Sequence, residues 1–425
     1  MGHVEIRVVA LGAGALALLL AGGCTSGSDR EGQDTAGSRS GLAVSVSPGN
    51  GATQVAPELP VTVGAVNGAL RSVNVRVKSK DTPIAGVLSA DRTQWRSKRG
   101  MAPGETYQVT VVAVDPSGKT KQVSSEFSTV KATQLFAVDK ILPNKEITGL
   151  TVGVGMPIML TFDHPITDRV SVERNLMVQA SNPIEGAWHW FDDKSVSFRP
   201  KKYWPAHTKV KLVAQLAGVH GGAGMYGSQD YVREFTIGRS QISHADTVSH
   251  QMTVERDGQV IRTVPLSAGE GGDWRHYTTN GVHLAMSRED VTTMTNPDTG
   301  PGGAGYYSLT VYDTVRISDS GEYVHGAPWS VGSQGNSNVS HGCINVSPSN
   351  AKWFKETTLI GDPIIVSGTP RQLDPANGWG HWQETWPQWL RWSGLRSGFT
   401  TETLSAYPVA DHTTTTADEK KKVTS

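Results

Sequence analysis

His325 to Asn345 reads HGAPWSVGSQGNSNVSHGCIN, and the rest of the chain is organised around it. Tyr323-Val324-His325 reads as the end of a strand that delivers a histidine. Ser340 to Asn345 reads as a tight turn running into a second strand, so the stretch belongs to a β-rich unit. It holds Cys343, the one cysteine left in the body of the protein once Cys24 in the N-terminal leader is set aside. A lone thiol with histidine company is a candidate nucleophile. An inert buried cysteine is the alternative that the surrounding residues must displace.

A thiol attacks as the thiolate and needs a base beside it. His325 lies 18 residues before Cys343, and the intervening loop can fold back to bring imidazole to sulfur. His341 is nearer in the chain, but side chains two residues apart in such a segment are separately aimed. His325 is therefore read as the base, and His341 as a second partner, catalytic or turn-stabilising. Gly342 has no side chain, so the N–H groups of Gly342 and Cys343 can face an oxyanion. Asn345 shares a strand face with Cys343 and can donate to a substrate.

Working outward, 241–368 reads as one β unit. Met252-Thr253-Val254 and Val260 to Val264 flank the turn Glu255-Arg256-Asp257-Gly258, a hairpin signal. Asn296 to Gly305 is a Gly- and Pro-rich loop that could cover a cleft, and Tyr307 to Val315 is a strand. Ser347 caps a short helix begun by Pro348, and Pro363 to Val366 is a closing strand.

Upstream, 42–132 alternates in short runs such as Val73 to Val77 and Tyr107 to Val114, the latter closed by Asp115-Pro116-Ser117-Gly118. Residues 133–240 echo the pattern, with Glu126-Phe127-Ser128 answered by Glu234-Phe235-Thr236. Both read as immunoglobulin-like sandwiches, with Trp95 a core aromatic in the first. The fold class is all-β: two such sandwiches, then a catalytic β-sandwich with a short helix. A Trp-rich segment follows over 369–410, with Trp379, Trp382, Trp386, Trp389 and Trp392 spaced by three and four, although Pro387 interrupts a regular helix. It reads as a cap packing indoles on the preceding domains, or as an aromatic platform for glycan. Residues 411–425 read as a disordered tail.

The ends and the composition place the protein. Residues 1–24 form a targeting segment, and Leu20-Ala21-Gly22-Gly23-Cys24 resembles a bacterial lipobox in which Cys24 is lipidated; an ordinary secretory signal is the alternative. Residues 25–41 contain no apolar side chain larger than Ala and read as a flexible tether reaching roughly 20–25 Å. Over 425 residues, 39 Lys plus Arg balance 39 Asp plus Glu, which argues against nucleic acid as a partner. The expected place is the outer face of the cytoplasmic membrane, lipid-anchored, or secreted if Cys24 is unmodified.

The spaced pattern His325, 14 residues, Ser340, His341-Gly342-Cys343, Ile344, Asn345 resembles the signature of the L,D-transpeptidase family, with its YkuD-type catalytic domain. The order of leader, two modules, catalytic unit and Trp-rich segment is similar to actinobacterial members. The resemblance implies a peptidoglycan transpeptidase. Cys343 would attack the third residue of a donor tetrapeptide stem, release D-alanine and form a thioester. The side-chain amine of a diaminopimelate on a neighbouring stem would then take the acyl group, giving a 3→3 cross-link. It further implies that the Gly326 carbonyl orients His325, where relatives often carry Ser. Of the adjacent candidates Tyr306 and Tyr307, the comparison favours Tyr307 as the one that would help the oxyanion site, and Ser320, Gly321 and Trp329 would line the substrate cleft. Carbapenem inhibition is implied, and neither metal nor organic cofactor is required. Hydrolysis of the thioester (an L,D-carboxypeptidase) or attachment of proteins to peptidoglycan are the alternatives.

Overall fold

The computed structural model describes residues 41–295, 300–303 and 306–404. The leader with Cys24, the tether, parts of the 296–305 loop and the tail lie outside the described residues.

Among the described residues strands dominate and helices are few. The first sandwich stacks two four-stranded sheets. One orders Ala43–Ser47, Thr62–Val66, Gln94–Ser97 and Gly86–Leu88; the other orders Thr82–Pro83, Ala69–Val77, Thr106–Val114 and Thr120–Ser128. Strand Thr106–Val114 alternates inward and outward along its whole length, burying Tyr107, Val109, Val111 and Ala113 against Trp95. Its hairpin closes where Asp115 Oδ1 accepts from the Ser117 and Lys119 N–H groups and Gly118 takes a positive φ of 88°.

In the second sandwich, one sheet orders Val138–Leu142, Ile158–Phe162, Ser195–Pro200, Glu185–Trp190 and Phe399–Thr400. The other orders Thr151–Val152, Tyr231–Ile237, Lys209–Ala214, Leu176–Ala180 and Glu402–Thr403. The last strand of each comes from the chain's C-terminal segment and covers an edge that would otherwise offer unpaired backbone. The loop around Gly221 is itself a small sheet, in which His220–Gly222 pairs with Met225–Gly227, and that strand with Gln134–Phe136.

The Trp-rich segment clamps this second sandwich. Trp389 is fully buried and its indole N–H donates to the Ala187 carbonyl at 3.0 Å. Trp382 donates to the Gly155 carbonyl at 2.8 Å. The buried Arg199 guanidinium lies over the rings of Trp389, Trp382 and Trp386 at 4.6, 4.7 and 5.5 Å. The helix is one short piece, Trp386–Arg391, because Pro387 is tolerated only in a first turn. Thr385 and Gln388 close a capping box ahead of it, and Trp392 is left exposed.

The third unit packs two sheets around one core. The first orders Gln259–Pro265, Gln251–Arg256, Gln241–Asp246, Pro363–Ser367 and Gly281–Leu284; the second orders Ser287–Thr295, Ser308–Arg316, Tyr323–Gly326 and Ile344–Val346. The hairpin turn is tighter than the sequence suggests, only Asp257-Gly258, both at positive φ, as a two-residue turn matching strand twist requires. Helix Pro348–Thr357 starts at the Ser347 cap and buries Ala351 and Phe354 in the same core. Arg239 joins this unit to the second sandwich through a two-pronged bond to Asp362, at 3.1 and 2.7 Å.

Candidate active site

Strand pairing explains how residues 18 apart meet. Tyr323–Gly326 runs parallel to Ile344–Val346, with His325 opposite Asn345 and Val324 opposite Ile344. Side chains alternate along a strand, so Val324 and Ile344 enter the core, while His325, Asn345 and, two residues earlier, Cys343 share the other face. That face opens into a cleft of about 870 Å³ lined by His325, Cys343, Asn345, Tyr307, Ser320, Gly321, Trp329 and His341.

His325 is buried, and its Nδ1 bonds the Gly326 carbonyl at 3.0 Å. A carbonyl only accepts, so Nδ1 carries the proton and Nε2 keeps its lone pair. Burial holds the imidazole below its ordinary pKa, partly offset by that carbonyl, so it is neutral and basic at neutral pH. The Cys343 thiol is pushed up to about 12, chiefly by burial, with the Tyr323 N–H acting against this and Glu322 adding to it. Its Sγ lies 3.7 Å from the Gly321 carbonyl and 4.0 Å from Met294 Sδ. The resting site therefore holds a thiol, not a thiolate, together with a neutral base.

The turn before the nucleophile is held by Ser340. Its hydroxyl donates to the Cys343 carbonyl at 2.6 Å and accepts the Gly342 N–H at 3.1 Å. This corrects the expectation that the Gly342 N–H serves an oxyanion, because that donor is already committed inside the turn. Gly342 matters for its φ of 129°, which a side chain would strain; a Cβ there meets nothing closer than 3.8 Å. Thr278 anchors the same residue, donating to the Gly342 carbonyl at 2.7 Å.

The remaining candidates take distinct places. Tyr307 is half-buried, its pKa raised by burial first and by Cys343 second, and its ring centre is 5.7 Å from that of His341. Trp329 is exposed at the rim, its ring centre 6.0 Å from that of His325. Asn345 is buried with its amide donating to Ser330 Oγ at 3.2 Å, so one donor holds the loop rather than facing the cleft. Gly321 takes a φ of 92° and turns its carbonyl to the thiol. His341 stacks on His276 with ring centres 4.4 Å apart.

Several supporting residues carry no local sequence signal. Buried Glu322 accepts the Thr279 N–H and hydroxyl at 2.7 and 2.6 Å behind the cysteine turn. Arg371 donates to the Arg275 and Tyr277 carbonyls, on either side of His276. Asn377 grips Ser320. Each is far in sequence from what it holds, and only folding brings them together.

Two family models match the chain: a bacterial Ig domain over residues 52–220 and an L,D-transpeptidase catalytic domain over residues 240–366. L,D-transpeptidase 5 of Mycobacterium tuberculosis is 36% identical over 354 residues, covering 82% of this chain and 76% of that protein. L,D-transpeptidase 2 of the same species is 35% identical over 347 residues, covering 80% and 82%. A solved structure of the L,D-transpeptidase LdtMt1 in complex with imipenem is 38% identical, covering 54% of this chain and 99% of that one, with a TM-score of 0.46.

Proposed function

The chain belongs to the L,D-transpeptidase family, and from that premise we propose that it cross-links peptidoglycan through a thioester on Cys343. The observation that carries this reading is the His325 Nδ1 bond to the Gly326 carbonyl, which leaves Nε2 as a proton acceptor in the cleft that holds the thiol. In the first half-reaction the Cys343 S–H turns from the Gly321 carbonyl toward His325. Sulfur attacks the carbonyl carbon of the third stem residue as its proton passes to Nε2. The C–N bond to the terminal D-alanine breaks, and the same proton leaves on the departing amine. In the second, the side-chain amine of a diaminopimelate on another stem attacks the thioester. His325 takes one amine proton and returns it to the sulfur as the thiolate leaves, giving a 3→3 bond.

Charge on the carbonyl oxygen is met by the Cys343 N–H and the Tyr307 hydroxyl, and removing one such donor costs about 100- to 1000-fold in rate. Trp329, Ser320 and Gly321 form the walls that hold the stem. Carbapenems react at the same sulfur by opening the lactam ring. Lipidation of Cys24 places the enzyme on the outer face of the cytoplasmic membrane; Cys24→Ser should release it from the membrane fraction. A membrane-bound Cys24→Ser protein would remove that part of the reading.

Incubation with a disaccharide-tetrapeptide tests the chemistry. Cross-linked dimers are expected, with no product from Cys343→Ala. Trimmed monomers alone would instead mean that water takes the acyl group.

A further inference from the structure

We propose that Glu270, His276 and His341 form a binding site for a borderline divalent metal ion of the zinc class, at the mouth of the cleft. One donor atom from each residue lies within 4.8 Å of the other two. Glu270 Oε1 is 3.5 Å from His276 Nδ1 and 3.8 Å from His341 Nε2. These separations are long for N–H···O hydrogen bonds. They approach the edge of a tetrahedron, about 3.4 Å when ligand bonds are near 2.1 Å. The two imidazoles stack face to face, ring centres 4.4 Å and planes 23° apart, with one nitrogen of each near the same carboxylate oxygen.

The three ligands come from elements already fixed. His276 ends the 3-10 turn Trp274–His276, capped where Asp273 accepts the Arg275 N–H. His341 sits inside the turn that Ser340 closes. Small side-chain rotations, not backbone movement, separate the present arrangement from a coordinating one. Two imidazoles and one carboxylate select zinc-like ions over magnesium or calcium, which take oxygen ligands. Three protein ligands leave a fourth position for water or a carboxylate oxygen. The ion would tie the wall carrying His276 to the turn that presents Cys343, and both imidazoles line the cleft.

The test uses the full chain carrying Cys24→Ser and Cys343→Ala, so that neither thiol can hold metal. Isothermal titration with zinc chloride should show one ion per chain at this site, and magnesium chloride no binding. Adding His276→Ala or, on the exposed side, Glu270→Gln should weaken zinc at least tenfold, with the metal-free melting temperature unchanged as a check on folding. The proposal is overturned if this cysteine-free protein binds no zinc, or if both further variants bind it as tightly as their cysteine-free parent.

Discussion

Asn377 holds Ser320 with both ends of its amide: Oδ1 accepts the Ser320 N–H and Nδ2 donates to Ser320 Oγ, each at 2.9 Å. A residue of the Trp-rich segment thus fixes one wall of the cleft, 57 positions away in sequence. Two such bonds contribute about 1–3 kcal/mol together. Asn377→Ala should slow acylation by imipenem by roughly tenfold and lower stability by no more than about 1–3 kcal/mol, read by stopped-flow kinetics beside a thermal melt. An unchanged rate would show that the wall holds itself.

Ser340 closes both ends of the cysteine turn, so its loss leaves the Gly342 N–H and the Cys343 carbonyl without that partner. Ser340→Ala is expected to cost about 1–3 kcal/mol in denaturant unfolding and to cut acylation sharply. Ser340→Thr, which keeps the hydroxyl, should restore most of both.

The base and the nucleophile are shifted in opposite directions from where a thiolate–imidazolium pair would need them. His325 is held below its ordinary value of 6.5 by burial, and the Cys343 thiol stands at about 12. The acylation rate should therefore form a plateau from about pH 6.5 upward, with its acid limb below that value as Nε2 takes a proton. Alkylation of Cys343 by iodoacetamide at neutral pH should be at least tenfold slower than that of a free cysteine. Fast alkylation, or an acid limb above pH 7, would contradict the neutral pair.

Acid should unfold the protein through its buried histidines. His381 is lowered to about 3 and His189 to about 4, both chiefly by burial around Trp389. In the unfolded chain these imidazoles take up protons near pH 6.5; in the fold they stay neutral until pH 4 and below. The unfolded state thus binds more protons across that window, so stability is full above about pH 6.5 and falls as pH drops toward 4. The melting temperature should follow, and His381→Leu should flatten the slope.

The all-β class was legible because period-2 runs such as Tyr107 to Val114 carry their own signature. His325 and Cys343 stood out because spacing and residue type together name them, and the structure lines both in one cleft. What pairs them, a parallel register between two short strands, leaves no local trace. The fate of the Gly342 N–H was equally hidden, since a serine two residues away decides it. Asn377, Glu322 and Thr278 act across 43 to 64 positions, where no periodicity reaches. The Trp spacing implied a helical face, but Pro387 confined the helix to six residues and most of the indoles found their places through Arg199 and backbone carbonyls.

The short strands Phe399–Thr400 and Glu402–Thr403, which border the two sheets of the second sandwich, also set an order of events. That sandwich begins near residue 134, yet its outer borders are supplied by nearly the last residues described. It cannot mature in the order in which the chain is synthesised. The catalytic unit, lying between, must already have emerged before its neighbour is finished. Premature termination between Cys343 and Phe399 would thus leave Cys343 in place while stripping the border from a module that contains no part of the cleft.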